Sequence, residues 1–300
     1  MNKVIIFLLF TVLVPLVSEE LETSKKTIEP KSHNFELRFR RQSFTYIPSD
    51  LGYDDFFYRS EIKNNKVNTY IPDFQYFNNK YNFRVELSTF SFTKSNMYFN
   101  YLPINAPRPV ISNRIYPTMT RSDTKLNVMK TLTWEKLDFY LGAGIRNIKK
   151  ERESEYTFSY SKMNTNTTGG QLALKLQFRI SQNIFLRAGI EYFRTKGDLD
   201  YSYAVTSGAS GGVYPTSFKP SSTFEGTDFE ISGYVRLYEN LFLNVGYSEI
   251  KARNSLKRFY PTFQSSFDGP KYFDIYQFIS TLDTSKDFLR GWNVGLMAQF

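Results

Sequence analysis

The chain has 300 residues, 18% of them aromatic and 22% charged, with a formal net charge of +9 and a mean hydropathy of −0.41, too polar for a bundle of membrane-spanning helices. It has no cysteine, which excludes disulfides, thiol nucleophiles, thiolate metal sites and acylation at a lipoprotein cysteine. Its one histidine, His33, removes most histidine-dependent catalysis, and its dispersed lysines and arginines form no arm for nucleic acid.

Met1-Asn2-Lys3 is a short positive start, and residues 4–17 are almost entirely apolar before Ser18 and two glutamates. That run is too short to span a bilayer as a helix and reads as a signal peptide over 1–18. Residues 19–33 are polar without periodicity, which predicts a flexible lead-in.

From 34 to 300 one β domain is expected. Phe35, Leu37 and Phe39 alternate with Glu36, Arg38 and Arg40, the period of a strand with one polar and one apolar face. A hairpin turn at Asn78-Asn79 leads to Phe83, Val85 and Leu87 against Arg84 and Glu86. A second turn at 134–136 leads to Leu137, Phe139, Leu141, Ala143 and Ile145, with Asp138 between them.

The clearest pair surrounds the turn at 181–183. Leu172, Leu174, Leu176 and Phe178 alternate with Lys175 and Arg179 before it; Leu186, Ala188 and Ile190 alternate with Arg187 and Glu191 after it. A fourth unit turns at 238–240, entered by Phe229, Ile231 and Val235 with Glu230 and Arg236 between, and left by Leu241, Leu243 and Val245. Four turns with eight strands, plus one strand at each end, give about ten; eight and twelve are the alternatives. Long polar loops are expected near 48–69, 94–120, 149–169, 196–223 and 251–286. The prolines beyond Pro30 fall in these loops or at their margins, as a residue without a ladder donor should.

In the last strand Trp292, Val294, Leu296, Ala298 and Phe300 share one face, and the chain stops on the aromatic. Asn293, Gly295, Ala298 and Phe300 resemble the C-terminal β-signal of bacterial, Gram-negative-type outer-membrane β-barrel proteins. The resemblance implies an all-β, transmembrane, antiparallel up-and-down barrel in the outer membrane, with lipid and the barrel-assembly machinery as partners. It also implies short turns on the periplasmic side and long loops at the cell surface.

Within such a barrel the polar face lines the lumen. The candidate lumen charges are Arg38, Arg84, Glu86, Asp138, Lys175, Arg179, Arg187, Glu191, Glu230 and Arg236, with Glu36 and Arg40 beside them. They suit either an internal ion-pair network or a narrow, weakly anion-preferring channel. The loops are rich in tyrosine, asparagine and serine, a composition suited to recognition. Tyr98, Tyr101, Arg108, Arg114 and Arg121 are candidate contacts for an extracellular ligand, a host protein or a glycan. The leading expectation is therefore a surface-exposed, non-catalytic binding barrel, the runner-up a diffusion channel. A lipid- or peptide-hydrolysing barrel is disfavoured by the lone histidine. No cofactor or metal is expected.

Overall fold

The computed structural model describes residues 35–49, 61–78, 80–95, 97–100, 118–156, 159–206, 213–256 and 286–300. The expected signal peptide and lead-in lie outside these residues, as do Tyr101, Arg108 and Arg114.

Thirteen strands follow one another: β1 (Phe35–Ile47), β2 (Glu61–Lys63), β3 (Lys66–Asn78), β4 (Phe83–Lys94), β5 (Tyr98–Asn100), β6 (Thr118–Trp134), β7 (Leu137–Tyr156), β8 (Ser159–Arg179), β9 (Ile184–Thr206), β10 (Val213–Phe218), β11 (Ser221–Tyr238), β12 (Leu241–Leu256) and β13 (Lys286–Gln299). Ten of them form the barrel wall in the order β1, β3, β4, β6, β7, β8, β9, β11, β12, β13. Every neighbouring pair is antiparallel, and β13 pairs back onto β1 from Glu36↔Gln299 to Ile47↔Phe288. At the seam the Phe35 and Phe300 amides each donate to the other's carbonyl, at 3.3 and 3.0 Å. Closure removes the exposed edges that an open sheet would offer for pairing. β10 continues the line of β11 along β9, while β2 and β5 form a separate two-stranded piece.

The hairpin pattern explains the lower half of this wall. Leu37, Phe39, Leu141, Leu172, Ile231 and Leu296 point outward and are exposed, while Arg38, Glu86, Asp138 and Glu191 on the alternate positions are buried inside. On each wall strand the outward apolar run stops at a polar residue: Arg41, Asn68, Thr89, Thr124, Asn147, Thr168, Arg194, Thr227, Glu249 and Arg290 in chain order. Tyr70, Tyr192, Tyr247 and Trp292 lie at that upper limit. Tyr81, Trp134, Tyr238 and Phe300 lie at the turn end, and all four are more than half exposed. An apolar belt between two aromatic girdles is the surface a lipid bilayer requires.

Above the belt the strands continue, and the expected loop boundaries move. β7 runs to Tyr156 and β8 starts at Ser159, so most of 149–169 is ladder rather than loop. β9 continues to Thr206 and β12 to Leu256, and β3 and β6 begin inside the loops expected at 48–69 and 94–120. A membrane strand needs about 9–11 residues, whereas β9 has 23. The excess projects beyond lipid, where the outward face turns polar and no longer carries the apolar run that marks the strand below.

Two prolines also move. Pro215 falls within the short β10 opposite Ala204. Pro72 stands within β3 opposite Phe39. Having no N–H, it fits there because pairing of β3 with β4 begins only at Asp73↔Ser88. Beyond that point the Thr69 hydroxyl bridges the gap, donating to the Ser91 carbonyl at 2.7 Å.

Candidate functional site: the lumen and the projecting hairpins

At the turn end, Arg187 donates to Glu36 at 2.8 Å and to Gln177 at 2.7 Å. Its guanidinium lies 5.0 Å from the ring centres of Phe185 and Tyr234, which stack on each other 4.5 Å apart. Asp138 is fully buried and receives Arg179, whose own side chain is half exposed. Arg236 is exposed at this rim, over the ring of Phe242 at 5.3 Å. Arg236 thus belongs to the rim rather than to the lumen expected for it, because the inward face of β11 meets solvent near its turn.

The middle of the lumen is filled by crossing ion pairs. Arg38 reaches Asp73 at 2.7 Å and Glu230 and the Tyr234 hydroxyl at 2.6 Å, and Arg40 reaches the same two carboxylates at 3.1 and 2.8 Å. Arg84, which donates to Gln75, lies between the rings of Phe77 and Tyr140. Lys175 bridges Glu86 and Glu191. Lys125 joins Glu191 at 2.7 Å to Asp228 at 3.1 Å, and Arg146 ties Asp228 to Asp123. In this described network seven cations meet seven carboxylates. The gaps among these side chains include two of about 30 and 20 Å³, each room for about one or two water molecules.

Higher up the inward face turns apolar. Phe44, Ile71, Phe90, Phe193, Phe224 and Ile250 belong to one buried cluster across the lumen, with Tyr46 and Phe92 edge to face above them. The sequence pattern predicts a polar lining throughout, so this layer departs from it. Met97, just after β4, and Ser49, just after β1, fold back into the same interior and are fully buried.

One charged group is set in this apolar layer. Asp287 at the start of β13 pairs with Arg121 of β6 and with Lys150 of β7 at 2.5 Å. The Lys150 ammonium also donates to the Ser49 hydroxyl at 2.9 Å. Asp287 lies well above the Trp292 girdle, outside the membrane. Burial by itself raises the Asp287 carboxyl pKa, but Arg121 and Lys150 outweigh it and hold the group below the usual carboxylate range.

Arg121 is therefore not a loop contact: it is a wall residue with no exposed surface, bound inside the barrel. The reason is parity, since Asn127, Lys125, Asp123 and Arg121 occupy successive inward positions of β6. That two-residue period was the available signal for Asp123, Lys125 and Arg121, which sequence reasoning missed as lumen groups. Of the other proposed contacts, Tyr98 falls in β5 and nothing further is described of its side chain. Arg38, Arg84, Glu86, Lys175, Arg187, Glu191 and Glu230 are all brought together in the lumen. Among the described residues no group of three or more His, Asp or Glu forms a metal-binding cluster.

The terminal strand has a packing logic of its own. A Cβ at Gly295 would lie 2.4 Å from the Phe39 carbonyl oxygen and 2.7 Å from Asn244 Oδ1, so glycine is required by the close approach of β1. Asn293 is buried and accepts from Asn244 at 3.1 Å.

The family described as "Predicted outer membrane protein, Leptospiraceae" matches residues 31–265. The chain belongs to this family. It is an outer membrane protein, and its belt, girdles and closed wall are those of a bacterial outer-membrane barrel. No curated protein matches the chain. Among solved structures it is similar to the outer membrane protease OmpT from Escherichia coli, at 9% identity and a TM-score of 0.51, over 93% of this chain and 99% of that one. Lesser similarities include the toluene transporter TodX of P. putida, at 9% identity, 89% coverage of each chain and a TM-score of 0.35. A major outer membrane protein from Thermus thermophilus has 10% identity, covers 88% of this chain and 99% of that one, and has a TM-score of 0.38. At such identities the likeness to OmpT concerns the fold, and neither proteolysis nor transport follows from these neighbours.

Proposed function

We propose that this outer membrane protein is a closed, non-catalytic scaffold whose hairpins stand above the outer leaflet and bind an extracellular ligand or host component. The observation that carries the reading is the filled lumen. Ion pairs occupy it at membrane height and an apolar cluster occupies it above, so the barrel's outward-reaching surface is where a partner has access. A weakly anion-preferring channel would need uncompensated cations along an open path. Arg38, Arg84, Lys175 and Arg187 are instead each committed to carboxylates or amides.

The projecting sheet suits recognition physically. Its strands are held by their own ladder, so a surface of Tyr, Asn, Ser and Thr is presented with little entropy left to lose on binding. The outer face of β7 and β8 is knit by Asn147, which donates to Asn166 at 3.0 Å and to Thr168 at 2.7 Å.

The test is trimming of residues 101–117 and 257–285, which spares Arg121 and the wall, followed by binding of whole cells to candidate host proteins and glycans. Binding should fall to background in the trimmed protein while its heat-modifiable migration persists. Unchanged binding would end the proposal. As a second part of the same reading, Asn293, Gly295, Ala298 and Phe300 form the signal read by the assembly machinery. Removing Phe300 should then lower the amount of barrel in the membrane more than it weakens refolded protein in detergent.

A further inference from the structure

We propose that the outward face of β12, β13 and β1, immediately above the lipid belt, is a docking surface for the phosphate-bearing headgroup of an anionic outer-leaflet lipid. This rests on the reading above that the hairpins point out of the cell.

The surface follows from strand register. On β1 the outward apolar run ends at Arg41; on β13 it ends at Arg290, with Lys286 further out; on β12 Lys251 follows Glu249. The ladder sets Arg290 between Glu249 and Thr45, and Lys251 opposite Phe288. Lys251 and Arg290 lie 5.5 and 5.1 Å from the Phe288 ring centre, so the aromatic holds both cations against the wall. Arg41, Lys251, Lys286 and Arg290, with Arg253 opposite Lys286, thus lie on the outward face of three adjoining strands, Arg41 four residues along β1 from the Thr45 partner of Arg290, and all five are exposed.

Charge on this face is not balanced. The one carboxylate among the described outward residues of these three strands is Glu249, and it is taken by Lys251 at 2.5 Å and by the Tyr247 hydroxyl, which donates at 3.4 Å. Arg41, Lys286 and Arg290 make no ion pair among the described residues. Across the barrel the residues that end the outward runs are neutral and self-satisfied. There Thr89 and Thr124 share a hydrogen bond of 2.9 Å, and Asn147 donates to Thr168. The cations above them, Lys149 and Lys196, are offset by Glu151, Glu153, Asp198 and Asp200 on the same outward face. Between the two walls, Arg194 is paired with Glu225 at 3.5 Å. The positive excess is therefore a sector rather than a ring.

What lies directly beneath selects a lipid over a free anion. Tyr247 and Trp292 pack edge to face 5.3 Å apart, and Phe39 stacks on Tyr70 at 5.4 Å. These rings form a platform for the upper acyl chain and glycerol or sugar region, while the guanidinium groups of Arg41 and Arg290 suit bidentate contact with phosphate.

The experiment titrates the full-length refolded barrel in neutral detergent with diphosphoryl lipid A, with its dephosphorylated counterpart and with inorganic phosphate, read by native mass spectrometry. Wild-type protein should bind the phosphorylated lipid. The variant Arg41→Gln/Lys251→Gln/Lys286→Gln/Arg290→Gln should bind it about a hundredfold more weakly. A control, Lys149→Gln/Arg194→Gln/Lys196→Gln, should bind as wild type. Equal binding by wild type and the quadruple variant would overturn the proposal, as would equal loss in both variants or equal retention of the dephosphorylated lipid or inorganic phosphate. If the quadruple variant loses heat-modifiable migration, Arg290→Gln alone replaces it and should weaken binding severalfold; no change would overturn the proposal. Orientation is read separately, by labelling Lys162 on intact cells. Absence of label would overturn the outer-leaflet assignment and the surface-binding reading, while leaving the binding measurement intact.

Discussion

The two halves of the barrel obey opposite rules on one continuous wall. From Phe35 to Arg40 in β1 the outward residues are apolar and the inward ones charged; from Ser43 to Tyr46 the outward residues are polar and the inward ones aromatic. β4 repeats the switch, passing from Arg84 and Glu86 inside to Phe90 and Phe92 inside. The strand period never changes. What changes is the solvent outside, hydrocarbon below and water above, and each half places its apolar side chains where that solvent directs. The lower half must then fill its interior with paired charge, and the upper half fills its interior as a soluble protein does.

The sharpest way to break this contrast is at Asp287, the carboxylate set in the apolar upper interior. Asp287→Ala leaves Arg121 and Lys150 buried without it and should cost about 3–5 kcal/mol in unfolding free energy, measured by urea titration of the vesicle-inserted barrel. The carboxyl pKa is depressed in the folded state, so its stabilisation is complete above the ordinary carboxylate range and is lost as pH falls through the depressed value. Wild-type stability should therefore decline on acidification below about pH 4, more steeply than that of Asp287→Asn. An identical acid profile for the two would remove Asp287 from the account.

The second contrast uses one strand. Leu174 and Thr168 both face outward on β8, one within the belt and one just above it. Leu174→Arg should cost roughly 2–4 kcal/mol, and Thr168→Arg no more than about 0.5 kcal/mol. Equal costs would mean that the belt ends elsewhere. The smallest effect is expected at Lys162 and Glu151, an exposed pair 2.9 Å apart on the projecting sheet. Lys162→Ala should shift stability by less than about 1 kcal/mol, and less still at high salt.

The lower half is readable from residues alone because its two faces differ in polarity. Leu172 to Phe178 against Lys175 and Arg179 specifies both strand and orientation, and Trp292, Val294 and Leu296 against Asn293 and Gly295 do the same for β13. The upper half is not readable in the same way. Asn164-Thr165-Asn166-Thr167-Thr168 is a strand whose two faces carry the same residue types, so alternation has no contrast to show, and the sequence pattern ends β7 and begins β8 short of their true limits. Arg121 illustrates the cost: beside Tyr98 and Tyr101 it reads as part of a recognition loop, although its parity with Asp123 and Lys125 places it inside. The apolar interior is equally hidden, since Phe90 and Phe92 between serines and threonines follow the same period as a lipid-facing face. Only knowledge of which side of the wall they occupy separates the two.

Closure of the lumen is the claim on which the scaffold reading stands, and planar bilayers test it directly. Full-length protein reconstituted in neutral lipid should leave the membrane silent, because the charges at membrane height are paired and the aromatic cluster fills the upper interior. Discrete, reproducible conductance steps would contradict the account and restore the channel.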